Sequence, residues 1–286
     1  MRHGARASLP WSRRLRWVFL AFIPSSLLLG VTTYITTDIA PTPLFWVIPL
    51  ALYLLAFTLA FARRQWISTF GLARWLPGVA ILLTLVYAAK ATEPAWLLVL
   101  VHLLFFALAA LLCHQLLAED RPAVVHLPEF YLWIAFGGLL GGLFNALLAP
   151  LLFNTLTEYP LTIVLTCFAL PLESKVFHDT REQRRSLLYA VGIGVLVAGL
   201  LGFASGLEIR MIERVALVFA VPLLFINHVM TANPLRLALA LAAVLVGSVF
   251  FTPDVARTLV AIECRSGGVT ARRRSLGAMS QVRRKI

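Results

Sequence analysis

"PAWLLVLVHLLFFALAALLCHQLL", residues 94–117, runs for 24 residues without one Asp, Glu, Lys or Arg. A helix of about 20 apolar residues crosses the roughly 30 Å of hydrocarbon in a bilayer. The pattern recurs at 17–37, 43–62, 75–90, 131–153, 187–207, 213–230 and 234–252. A shorter run at 157–172 opens on Glu158-Tyr159-Pro160. The spacing predicts an all-α, polytopic transmembrane helical bundle with eight or nine spans.

Composition removes the soluble alternative. The chain is 60% hydrophobic and 13% charged, against about 45–50% and about 25% for a soluble globular domain. The longest polar stretch between runs, "ESKVFHDTREQRRS" at 173–186, is too short for a soluble domain. The 25 Lys and Arg outnumber the 13 Asp and Glu, for a net charge of +12. These basic residues cluster between apolar runs and at both ends, as in loops held on the cytoplasmic face. The expected partner is therefore the lipid bilayer and not nucleic acid. Cys113, Cys167 and Cys264 lie far apart with no C-x-x-C or Cys/His spacing, so no metal site or disulfide is predicted. Buried cysteines acting as small hydrophobes fit better.

The organisation reads as a basic N-terminus (1–16), a transmembrane domain (17–252) and a basic tail (253–286) in which no order is expected. Arg2, Arg6, Arg13, Arg14 and Arg16 before an apolar stretch imitate a signal peptide, but no A-x-A-like cleavage site follows. The stretch reads as a retained first span. Trp11, Trp17, Trp46, Trp66, Trp75, Trp96 and Trp133 mostly sit near run ends, as interfacial anchors. With the N-terminus in the cytoplasm, the loop with Arg63, Arg64 and Arg74 also falls inside and Asp38 falls outside. The loop with Lys175, Arg181, Arg184 and Arg185 falls inside only if 157–172 spans. Nine spans then leave the arginine-rich tail outside, so eight and nine both stand.

Asp38, in "TTYITTDIAPTP", is the polar group with the clearest alternatives. Pro41 and Pro43 place it near a membrane face, where Asp-x-x-Pro turns the chain at little cost. Its functional reading is a carboxylate that attracts a cation to a polar groove lined by Thr32, Thr33, Thr36 and Thr37. His102 and Asn145 lie inside apolar runs and must face the bundle interior. Each is either a relay or ligand group or an interhelical hydrogen bond, with packing favoured. The pair Asn227-His228 reads as a helix-end loop. Glu129 follows Pro128 and Glu158 precedes Pro160, so both suit the positive end of a helix dipole. "FGGLLGGLFNALLAP" carries two small-xxx-small pairs, Gly137 with Gly141 and Gly138 with Gly142. They predict close backbone packing first, and a narrow substrate path second. "GIG" at 192–194 lacks the third glycine of a dinucleotide fingerprint. No G-x-S-x-G, H-E-x-x-H or Walker pattern occurs. No catalytic residue, cofactor or metal is assigned, and the chain is not read as an enzyme.

Two blocks carry a resemblance. "RLRWVFLAFIPSSLLLGVTTYITTDIAPTPLFWVIPLALYLLAF" (14–57) and "CHQLLAEDRPAVVHLPEFYLWIAFGGLLGGLFNALLAPLLFNTLTEYPL" (113–161) are similar to the membrane region of bacterial fused transporter/spermidine-synthase-like proteins. The likeness extends over roughly residues 13 to 256. It implies a multi-pass protein of the bacterial inner (plasma) membrane, with an MFS-like membrane module. In that family a Rossmann-like aminopropyltransferase domain follows, with a glycine-rich turn and diamine-binding acids that this sequence lacks. The resemblance thus carries over the membrane module alone, with Asp38 and Glu129 as motif members. Three readings result: a module that transports or handles polyamines or other organic cations, a membrane scaffold for a soluble enzyme partner, or a truncated or frameshifted fragment, suggested by the abrupt "CRSGGVTARRRSLGAMSQVRRKI" tail.

Overall fold

The computed structural model describes residues 9–39, 44–62, 67–88, 94–153, 158–170 and 234–250, together with Leu188 and Gly192. Every regular element among them is helical. Helix α1 (Trp11–Tyr34) widens into a π-turn at Ile35–Ile39, and α2 (Val47–Ala60), α3 (Thr69–Ala88) and α4 (Ala95–Glu119) follow. A 3₁₀ turn at Val124–His126 leads into α5 (Leu127–Leu143), a second π-turn at Phe144–Leu148 and the short α6 (Ala149–Leu152). Helices α7 (Glu158–Ala169) and α8 (Pro234–Phe250) complete the set. The runs at 187–207 and 213–230, the 173–186 loop, Trp66, Asn227-His228, Cys264 and the 253–286 tail lie outside the described residues.

Three continuous stretches are long and apolar enough to cross a membrane: Trp11–Ile39, Ala95–Glu119 and Val124–Leu152. Helices α2 and α7 and most of α3 are shorter apolar helices. Leu132, Leu139, Leu143, Leu147 and Leu151 form an exposed stripe along α5 and its continuation. In water such a stripe is a liability, whereas in hydrocarbon it is an ordinary lipid-facing surface.

The first helix begins at Trp11, well before the apolar run that predicts it at 17. Pro10 caps it in an extended conformation, and the Arg13 amide bonds the Pro10 carbonyl. The early start is stabilised because acidic groups from other helices meet the arginines of the first turns. Trp17 is fully buried and packs edge-on to Phe130 at 4.9 Å, so it is a core residue and not an interfacial anchor. Trp11, Trp46, Trp75 and Trp96 are exposed, as anchors should be. Helix α3 likewise begins early, at Thr69, where the Ser68 hydroxyl accepts the Gly71 amide.

Helix α1 is the central post, packed against α2, α4, α5 and α7. Lipid supplies little hydrophobic drive between helices, so close fit and hydrogen bonds must hold them. The glycines of α5 provide the fit on one face only. A Cβ on Gly137 would lie 2.4 Å from the Val18 carbonyl oxygen, and one on Gly141 would lie 2.6 Å from that of Phe22. Among the described residues nothing stands within 4 Å of where a Cβ on Gly138 or Gly142 would lie, so the second pair packs against no described helix. The Gly138 carbonyl nevertheless accepts the Ser25 hydroxyl at 2.8 Å.

Candidate functional site: the aromatic end of the bundle

Helices α1 to α5 and α7 alternate in direction, which collects their polar groups at two ends. At the arginine end, Asp120 terminates α4 and receives three hydrogen bonds. Arg13 Nε donates to its Oδ1, Arg13 Nη2 to its backbone oxygen, and Trp17 Nε1 to its Oδ2, each at 2.8 Å. Arg16 adds a looser contact at 3.7 Å. Glu129, in the first turn of α5, lies 2.6 Å from Arg14 Nε and 3.7 Å from His126 Nδ1. The Arg14 contact lacks hydrogen-bond alignment and is an ion pair. Arg121 donates to the Tyr131 hydroxyl and lies over the Phe61 ring. Thr69 donates to Glu119, and Gln115 donates to the Ile67 carbonyl at 2.8 Å. The acids of this end are engaged by basic or polar groups of other helices. Glu129 therefore does more than complement its own helix dipole.

The interior carries a second polar group. Asn145, in the π-turn after α5, donates to the Ser26 hydroxyl at 2.6 Å and to the Gly141 carbonyl at 3.1 Å. Ser26 is fully buried and also bonds Thr162 of α7 at 3.0 Å. Asn145 thus ties α1 to α5, with Ser26 passing the link on to α7. This is the packing role favoured for an amide in an apolar run.

The opposite end is built of rings. Tyr34 (α1) stacks on Tyr159 (α7), with centroids 5.4 Å apart and planes at 24°. His102 (α4) lies 4.7 Å from Tyr34 and 5.6 Å from Tyr159, tilted by 31° and 27°. Tyr87 (α3) closes the group at 5.4 Å from Tyr34 and 6.5 Å from Tyr159. His102 is fully buried, and its Nδ1 is 2.7 Å from the Tyr159 hydroxyl. Gly30 makes room for this stack, since a Cβ there would lie 3.0 Å from Tyr159 Cδ2. Two carboxylates flank the rings. Glu158, nearly buried, opens α7 immediately before Tyr159. Asp38, exposed, lies one turn beyond Tyr34 in the π-turn. No basic side chain among the described residues pairs with either acid.

No protein-family model, curated protein or solved structure matches this chain. The site must be read from its own chemistry. Electron-rich ring faces attract cations, and two carboxylates with no basic partner among the described residues add negative potential.

Of the sequence-predicted set, His102 stands within the ring cluster and Asp38 one turn beyond Tyr34. The threonines do not form a free polar groove. Thr32, Thr36 and Thr37 donate their hydroxyls to Leu28, Thr32 and Thr33 carbonyls of their own helix, at 2.6, 2.8 and 2.7 Å. Thr33 and Thr37 are exposed. Such back-bonding widens and bends a helix, and the π-turn follows directly. Tyr34, Tyr87 and Tyr159 escaped sequence reading because each looks like one more aromatic in an apolar run. Their signal is positional: with alternating helix directions, the end of α1, the end of α3 and the start of α7 meet. Among the described residues no three His, Cys, Asp or Glu side chains gather as metal ligands.

Proposed function

We propose that the chain is a polytopic inner-membrane module of eight or nine spans that takes an organic cation at its aromatic end. The observation that carries this reading is the cluster of Tyr34, Tyr87, Tyr159 and His102 flanked by Asp38 and Glu158, with no basic side chain among the described residues paired to either acid. The contrast with the engaged acids of the opposite end favours a ligand-facing role for these carboxylates. The positive-inside pattern puts the arginine end in the cytoplasm and the aromatic end outside. Similarity to the membrane region of fused transporter/spermidine-synthase-like proteins makes polyamines the first cations to test. No catalytic step is assigned.

Reconstituted proteoliposomes supply the test. Uptake of radiolabelled putrescine or spermidine above protein-free vesicles is expected, and Asp38→Asn lowers it. Absence of uptake together with no effect of Asp38→Asn contradicts the reading. A second reading, a membrane anchor for a soluble enzyme, draws on Val124 and Val125, which stand exposed in the connector at the arginine end. Co-purification of a stoichiometric soluble partner would favour it, and a partner-free monodisperse sample would count against it.

A further inference from the structure

Five arginines among the described residues gather at the arginine end, Arg13, Arg14, Arg16, Arg74 and Arg121, against three carboxylates, Glu119, Asp120 and Glu129. Their donors are spent unequally. Arg13 gives two hydrogen bonds to Asp120 and lies over the Trp17 ring. Arg14 pairs with Glu129 and lies over the Trp11 ring at 4.7 Å. Arg121 is held by Tyr131 and Phe61. Arg16, whose side chain is 54% exposed, has one polar contact among the described residues, at 3.7 Å to an Asp120 oxygen already taken by Trp17. Arg74 is exposed and has no hydrogen-bond or ion-pair partner among the described residues.

The two arginines with unspent donors lie one turn in from the rim of the bundle. Arg16 is in the second turn of α1 and Arg74 in the second turn of α3, and both helices start at this end. Exposed apolar side chains stand nearer the rim than each, Trp11 before Arg16 and Phe70 before Arg74. Others adjoin them, Leu15 and Trp75. Exposed tryptophans mark the membrane–water interface, so both guanidinium groups stand at the level of the lipid headgroups and not in open water beyond them. A guanidinium offers five N–H donors in a planar fork that matches phosphate. At that level the acceptors are lipid phosphates.

We infer that the arginine end is a binding surface for anionic phospholipids, with Arg16 and Arg74 taking the headgroup phosphates while Arg13 and Arg14 serve the fold. The surplus of arginines over carboxylates at this end favours a headgroup of net negative charge. A zwitterionic headgroup brings its own ammonium against that surplus and binds less tightly. Orientation agrees, since the positive-inside pattern turns this end to the cytoplasmic leaflet, where anionic lipid makes the surface potential negative. The inference rests on the membrane reading above and is independent of the cation site.

Native mass spectrometry of the full chain, released from detergent micelles after titration with phosphatidylglycerol or phosphatidylcholine, counts bound lipids and gives their affinities. Wild type is expected to bind phosphatidylglycerol about fivefold more tightly than phosphatidylcholine, the scale of one arginine at an anionic surface. Arg16→Gln and Arg74→Gln should each remove one preferred lipid, and the double variant should show no preference. Arg16→Lys keeps the charge without the fork and should retain part of the preference. Arg13→Gln changes net charge by the same amount but should leave both preferred lipids bound. Arg121→Gln supplies this control if Arg13→Gln does not fold. Equal affinity of wild type for the two lipids overturns the inference and leaves the membrane reading standing. Equal losses from Arg16→Gln and Arg13→Gln overturn it too, because net charge and not unspent donors then sets the preference. A chain that carbonate washes off reconstituted vesicles overturns both the inference and the membrane reading.

Discussion

The two ends of the helical bundle use the same residue types to opposite effect. At the arginine end, Asp120 and Glu129 are met by Arg13, Arg14, Arg16, Trp17 and His126 from α1 and the α4–α5 corner. At the aromatic end, Asp38 lies one turn beyond Tyr34 and Glu158 directly precedes Tyr159, with no ion-pair partner among the described residues. An acid engaged by several donors orders the helices that supply them. An acid without a basic partner, next to electron-rich rings, instead leaves negative potential directed at whatever approaches. The comparison teaches that the surroundings of a carboxylate here are set by which helix ends converge.

Breaking the arginine end should have the largest effect on stability. Asp120→Ala removes the acceptor of both Arg13 Nε and Trp17 Nε1, in a part-buried site. A loss of about 1.5–3 kcal/mol is expected in denaturant unfolding in detergent micelles. An Arg13→Ala/Asp120→Ala cycle sharpens the point, since a coupling energy near zero would mean that the pair does not order α1 against α4.

Between the two ends, the glycine faces give an internal control. Gly137→Ala forces a Cβ against the Val18 backbone and should cost about 1–3 kcal/mol, because a backbone neighbour cannot step aside. Gly138→Ala enters open space and should stay within about 0.5 kcal/mol. Equal losses for both would mean that α5 packs on α1 through a different face.

At the aromatic end the structural effects should be small. Tyr159→Phe removes the hydroxyl bonded to His102 but leaves the ring stack. About 1 kcal/mol is expected: an interhelical hydrogen bond in a membrane is worth about 0.6 kcal/mol, and the buried His102 Nδ1 left without its partner adds to the loss. A loss as large as that of Asp120→Ala would erase the distinction between a structural end and a ligand-facing end.

Much of the fold was written in hydropathy. The apolar runs at 17–37, 94–117 and 131–153 became the three long helical stretches, and the glycine spacing announced a close backbone contact on α5, though not that α1 makes it or that only Gly137 and Gly141 serve it. Helix starts were less legible. Arginines look solvated in a linear sequence, and the acid that holds Arg13 is 107 residues away. The π-turns at Ile35–Ile39 and Phe144–Leu148 also gave no warning, because a one-residue change in hydrogen-bond register leaves the apolar pattern intact. Of the candidate site, Asp38 and His102 stood out as polar groups in apolar surroundings. The tyrosines did not, since their meaning arises only when α1, α3, α4 and α7 converge.

The most direct test separates binding from stability at the two ends. Putrescine affinity and unfolding stability are measured for wild type, the Asp38→Asn/Glu158→Gln double variant and Asp120→Asn in the same nanodiscs. The double variant should bind at least about tenfold more weakly, the equivalent of about 1.4 kcal/mol, with stability close to wild type. Asp120→Asn should lose stability while its folded fraction binds as wild type. A double variant that binds putrescine with wild-type affinity would contradict the assignment of the aromatic end as the cation site.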